Sequence, residues 1–190
     1  MYIISYTLLG ILSCIILWQL EVLLNETRYK NRKCREAVES SRKLKKPLLV
    51  AGGPWGGRPW RRIFKIPAHI MGDVSIDIFP GAVEGHPNGI VANVMHLPFP
   101  DKVFGAVLAS HLLEHLHDTS EAKKALDELN RVADEVFIAY PSRQSFIAWL
   151  IPDHHLWVWQ KGNELFLKQR WVALKTSNKE SYNLLNGRKN

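Results

Sequence analysis

The sequence predicts an α/β fold: a doubly wound, mainly parallel sheet, preceded by one membrane-spanning helix. Three observations predict it. From residue 48 onward, short apolar runs alternate with an amphipathic helical stretch. A glycine-rich turn breaks the first of those runs at once. Residues 2–20, YIISYTLLGILSCIILWQL, hold no charged side chain.

The uncharged stretch comes first. At about 1.5 Å per residue it covers about 28 Å, close to the hydrocarbon thickness of a bilayer. Tyr2, Tyr6 and Trp18 stand near its ends, where amphipathic rings favour the interface. A cleaved signal peptide wants a positive start and a small-residue cleavage site, and neither is present. Residues 1–24 are therefore expected to form a retained anchor. Between 25 and 46, nine Lys/Arg stand against three Glu, which is +6 of the total +7. Basic residues flanking a span stay on the cytoplasmic side, so a single-pass protein with a cytoplasmic globular domain is expected.

The same belt suits anionic lipid headgroups. Nucleic acid ranks below the membrane as a partner. From residue 66 onward there are 12 Lys/Arg against 14 Asp/Glu, so the basic surplus does not belong to the globular part. Cys14 in the span and Cys34 in the belt are not placed to pair, which fits a domain built without disulfides. Nothing in the sequence sets the oligomeric state.

Residues 25–46 read as a polar stalk continuing the helix, ended by Pro47. The domain is expected over 47–175 and a frayed polar tail over 176–190. Residues 48–51 are a short apolar run consistent with a buried strand, and Gly52, Gly53, Gly56 and Gly57 follow it. A short helix over 58–66 is next. Residues 73–79, DVSIDIF, alternate as a second strand closed by Pro80 and Gly81, and 90–92 form a short third strand. After a loop at 97–101, residues 103–109 are a fully apolar fourth strand, and Ser110 and His111 lead into a helical stretch ending near His117. A helix over 121–133 follows, capped by Thr119 or Ser120, with Ala122, Ala125, Leu126, Leu129 and Val132 on one face. Residues 135–139 are a fifth strand. Residues 146–159 are apolar and rich in tryptophan, without clear periodicity.

A nucleoside cofactor needs a glycine turn after the first strand, an acid at the end of the second and a crevice at the switch point of the sheet. The chain offers each. The glycine turn is at 51–57, and glycines let backbone approach a ligand. Asp77 lies toward the end of the second strand, with Asp73 as the competing acid if the register differs. Ser110 and His111 follow the fourth strand and should line the mouth.

The segment 93–118, NVMHLPFPDKVFGAVLASHLLEHLHD, resembles the class I S-adenosylmethionine-dependent methyltransferases of the type 11 kind, with their Leu-Pro-Phe, apolar strand and Leu-Glu-His. The resemblance runs from about 46 to 157. It implies a Rossmann-like sheet, here shortened at its C-terminal strands. It further implies S-adenosyl-L-methionine as cofactor, contacted by Ala51, Gly53, Gly56, Asp77, Asn93, Val94 and Ser110. The chain departs from the family where Leu49 replaces the acid of the first strand, Ala51 replaces the first glycine, and Trp55 stands inserted before Gly56.

The expected function is methyl transfer to a membrane-associated acceptor such as a lipid, quinone or lipid-linked sugar. His111, His154 and His155 are candidates by position for assisting proton loss from an acceptor. Two other readings remain. One is a methyltransferase-like module without catalysis, serving as a scaffold at the membrane. The other is a zinc hydrolase, because His111, Glu114 and His115 match H-x-x-E-H.

Overall fold

The structure, a computed structural model, describes residues 2–53, 72–170 and 179–184. Helix α1 (Tyr2–Leu44) is continuous over 43 residues, about 65 Å at the standard rise. Its N-terminal half presents Leu8, Leu9, Ile11, Leu12, Ile16 and Leu17 to the exterior. Ser13 and Thr27 return their hydroxyls to the carbonyls of Leu9 and Leu23, which satisfies them within the helix.

The C-terminal half of α1 departs from the expected stalk. It packs on the sheet, burying Cys34 and Ala37 against β1 (Leu48–Ala51) and β4 (Phe104–Ser110). Small residues at 34 and 37 let the helix sit close to the strands. Arg28, Arg32, Arg35, Arg42 and Lys43 stay exposed, while the Lys33 side chain is only 16% exposed.

Five strands form one parallel sheet in the order β3-β2-β1-β4-β5, with β2 (Val74–Asp77), β3 (Gly89–Val91) and β5 (Ala133–Ala139) completing it. Chain order reverses at β1, so the switch point lies between β1 and β4. The pleat explains the apolar runs. Leu48, Val50, Ala106 and Leu108 face α1, whereas Leu49, Ala51, Val107 and Ala109 face the opposite layer. The sheet is doubly wound and Rossmann-like.

That opposite layer is α3 (Thr119–Val132), whose Ala122, Ala125, Leu126, Leu129 and Val132 are buried as its periodicity requires. Its N-cap is Asp118, not Thr119 or Ser120: the Asp118 side chain accepts from the Glu121 amide at 2.8 Å. At its other end the Lys102 ammonium donates to the carbonyls of Asn130 and Ala133, meeting the negative end of the helix. Between β2 and β3 lies one short helical turn, α2 (Pro80–Val83). The expected helical stretch after β4 shrinks to a single 3-10 turn at Leu113–His115, because His111 adopts φ 51° and turns the chain.

After β5 come a short helix α4 (Phe146–Leu150) and a separate antiparallel sheet, β6 (Leu156–Lys161), β7 (Glu164–Gln169) and β8 (Lys179–Asn183). Leu156, Val158, Leu165 and Leu167 join the α3 side of the core. Strand β8 lies in the segment expected to be a frayed tail, and Tyr182 ties it down by donating to Asp127 at 2.8 Å. The helix expected over 58–66, together with Trp55 and Gly56, lies outside the described residues.

Candidate active site

The carboxyl ends of β1, β2 and β4 converge on Gly52 and Gly53, which follow β1 with φ of 100° and 55°. Both glycines are required by close approach. A Cβ on Gly52 would fall 2.5 Å from the Ser110 carbonyl oxygen, and one on Gly53 would fall 2.7 Å from the Ala82 Cβ and 2.8 Å from Asp77 Oδ2. The Asp77 carboxylate is thus turned toward the glycine turn. Its Oδ1 accepts from the Phe79 amide at 2.9 Å. Burial pushes its carboxyl above the usual aspartate range, against the opposing effect of backbone hydrogen bonds and the nearby His115.

Asp73 is ruled out as the ribose acid. Its Oδ2 accepts from the Leu48 amide at 2.7 Å, at the amino end of the sheet. Ala51 is fully buried and pairs with Ile76 and Ala109, so it offers only backbone to the crevice. Ser110 is buried at the end of β4. Asn93 and Val94 stand directly beyond β3, beside Asp77, whose carbonyl accepts from the Ala92 amide at 3.0 Å. Val94 is buried in the core. The Asn93 Oδ1 already accepts from the Met95 amide at 2.9 Å, an Asx turn that fixes the corner.

Two features weaken the cradle. Leu49 is fully buried among core side chains, so no carboxylate stands at that point of β1. The amides of Gly52 and Gly53 both donate to the Ile76 carbonyl, at 3.1 and 3.2 Å, so they are spent on the sheet.

The three histidines separate. His111, half-exposed, has Nε2 4.0 Å from Glu26 Oε1 and Nδ1 3.3 Å from Glu114 Oε1. His154 is buried with its Nδ1 3.2 Å from the Ala148 carbonyl, and burial pushes its pKa down. His155 stacks near His117 at 5.1 Å between centroids. The H-x-x-E-H arrangement needs both imidazoles on one helical face. His111 stands outside the 3-10 turn, so that face is not built.

Sequence reasoning missed a cavity of about 690 Å³ between α1 and the start of the second sheet. Trp18, Tyr29, Tyr140, Trp157 and Trp159 wall it, and Glu26 lines it beside His111. The tryptophan density of 146–159 was the available signal. Beside it, Phe146, Ile147, Trp149 and Leu150 of α4 are exposed. Trp18 meets Phe146 edge-on at 5.6 Å, and the Gln19 side chain bonds the backbone of Gln144 and Phe146.

Residues 63–135 match the family profile described as a methyltransferase domain, a span of less than half the chain. The resemblance drawn from the Leu-Pro-Phe segment is met by that match. No curated protein matches the chain. Among solved structures, the N-methyltransferase NodS from Bradyrhizobium japonicum WM9, in complex with S-adenosyl-L-homocysteine, is 12% identical, with 76% of this chain and 81% of that one covered and a TM-score of 0.40. The sugar N-methyltransferase KedS8 from Streptoalloteichus sp ATCC 53650 is 14% identical, covering 83% and 70%, with a TM-score of 0.42. The cyclase SpnF is 19% identical over 58% of this chain and less than half (43%) of its own length, with a TM-score of 0.40.

The residues present fit the ribose of a nucleoside cofactor. Asp77 offers Oδ2 beside a glycine that lets backbone close in, and a carboxylate can accept from both vicinal hydroxyls. They do not supply an acid for the methionine end.

Proposed function

We propose that the protein transfers a methyl group from S-adenosyl-L-methionine to an acceptor presented at the cytoplasmic surface of a membrane. The observation that carries this reading is the Asp77 carboxylate turned toward Gly53 at the open end of a doubly wound sheet. The cofactor supplies a methyl on a sulfonium, which leaves with its bonding pair on sulfur as the acceptor's lone pair forms the new bond. Asp77 would hold the ribose, beside the buried Gly53. His111 stands between the crevice and the tryptophan-walled cavity, where it takes the proton released by an alcohol or acid acceptor. Glu26 Oε1 lies 4.0 Å from its Nε2.

The acceptor reading rests on the cavity and its surroundings. Its aromatic walls suit an apolar or ring-bearing body, while Glu26 and Arg143 offer polar groups to a head. The exposed face of α4 beside Trp18 supports an interfacial position for the cavity mouth, with Ile147 and Leu150 dipping into the headgroup boundary. Membranes containing the full chain, supplied with methyl-labelled cofactor, are expected to accumulate label in the organic-solvent extract. Asp77→Ala should remove it. Label confined to protein or to water-soluble products would contradict the membrane acceptor.

A second reading, a scaffold without catalysis, is favoured by buried Leu49 and by the engaged amides of Gly52 and Gly53. It expects no cofactor binding at all.

A further inference from the structure

The structure carries a cluster that methyl transfer does not use. Glu114, in the 3-10 turn after β4, is 1% exposed, and neither carboxylate oxygen has a hydrogen-bond partner. Among the described residues only the His111 imidazole, with Nδ1 3.3 Å from Oε1, is paired with it, and a buried carboxylate is costly unless a cation compensates it. His115 and His154 stand beside it, and one ligand atom from each of the three residues falls within 4.8 Å of the others.

The two rings share one tautomer. The His115 Nδ1 lies 3.1 Å from the Asp153 carbonyl oxygen, and the His154 Nδ1 lies 3.2 Å from the Ala148 carbonyl oxygen. A carbonyl only accepts, so in both rings Nδ1 carries the proton. The lone pair that each imidazole can give is then on Nε2. Backbone carbonyls that fix the tautomer in this way are the usual outer shell of histidine ligands. The rings meet edge-on at 4.8 Å, and the His155 amide donates to the Glu114 carbonyl at 2.7 Å, which holds the two segments side by side.

We propose that Glu114, His115 and His154 form a binding site for a divalent metal of borderline softness, zinc above all. Two neutral imidazoles and one carboxylate are a zinc-type donor set, and the hard cations magnesium and calcium prefer oxygen throughout. The metal ties the turn after β4 to the segment before β6 and neutralises the buried carboxylate. The competing arrangement is a protonated His111 as sole counter-charge, since its Nδ1 lies 3.3 Å from Glu114 Oε1.

The test is cobalt titration of the full chain, purified in detergent and stripped with chelator. One equivalent of Co2+ should bind with visible ligand-field bands and be displaced by Zn2+, and Zn2+ should raise the melting temperature. His115→Ala and Glu114→Gln should each weaken Co2+ at least about tenfold. Because His154 is buried and its replacement disturbs the surrounding packing, the exposed His115 carries the decision, with His117→Ala as the control that keeps full binding. Binding well below one equivalent, or equal affinity in wild type and His115→Ala, overturns the site. A wild type whose melting ignores zinc does so too, and leaves His111 as the partner of Glu114.

Discussion

Asp77 serves two opposed demands. Burial raises its carboxyl above the ordinary aspartate range, so the folded chain holds that proton more tightly than the unfolded chain does. Stability therefore falls as pH rises from the ordinary aspartate pKa through the raised one. Asp77→Asn should melt higher than wild type at pH 7.5, with the gap closing in acid, while its affinity for cofactor drops; differential scanning calorimetry across pH reads this directly. Glu128 has the opposite sign. The Arg131 guanidinium hydrogen-bonded to it holds its carboxyl below the usual range, so the stability it contributes is present above the ordinary glutamate pKa and lost as pH falls through the lowered one. Arg131 also donates to Asp101 and to the Leu97 and Phe99 carbonyls, clamping the Leu-Pro-Phe loop onto α3. Arg131→Ala is expected to cost about 1–2 kcal/mol in denaturant titration, reduced from the buried-pair value by solvent. Asp77 was singled out in the sequence by its likeness to the family's ribose acid, and β2 ends on it, two residues earlier than alternation implied. The Asx turn at Asn93 was not, because its side chain serves either its own backbone or a ligand, and spacing does not decide which.

At the scale of elements, apolar patterning located the five parallel strands to within a few residues, most sharply β1 and β4, which are buried on both faces. It failed where tertiary contacts decide. Strand β8 reads as polar because alternate residues are exposed on an outer strand, and only its pairing with β7 makes it a strand. The stretch at 25–46 reads as a solvated stalk by charge, yet Cys34, Ala37 and Ser41 form a narrow buried stripe on the sheet. The cap of α3 was displaced by one residue, because Asp118 competes with Thr119 and Ser120 and is the one in extended conformation. Asp118→Ala should cost about 1 kcal/mol of stability by thermal melting, whereas Ser120→Ala should change it by a few tenths at most.

For the whole molecule, the long apolar helix and the sheet share one continuous element, so the domain stands at a fixed distance from any bilayer that α1 crosses. Full-length chain in membranes should resist alkaline carbonate extraction. Proteolysis of sealed vesicles should cut the domain only when the cytoplasmic face is outward; extraction into the soluble fraction would contradict the anchor. Fold class was legible from the strand–helix alternation, and the long apolar helix from its uncharged composition. The cavity was not, since it is assembled from α1, the end of β5 and the second sheet, which no local spacing brings together.

Whether the mouth above β1, β2 and β4 receives adenosine is best measured by titration calorimetry of the detergent-purified full chain with S-adenosyl-L-homocysteine. Saturable binding near one per chain, weakened at least about tenfold by Asp77→Ala, is the expected result. No heat at millimolar ligand, or binding indifferent to Asp77, would leave the scaffold reading in its place.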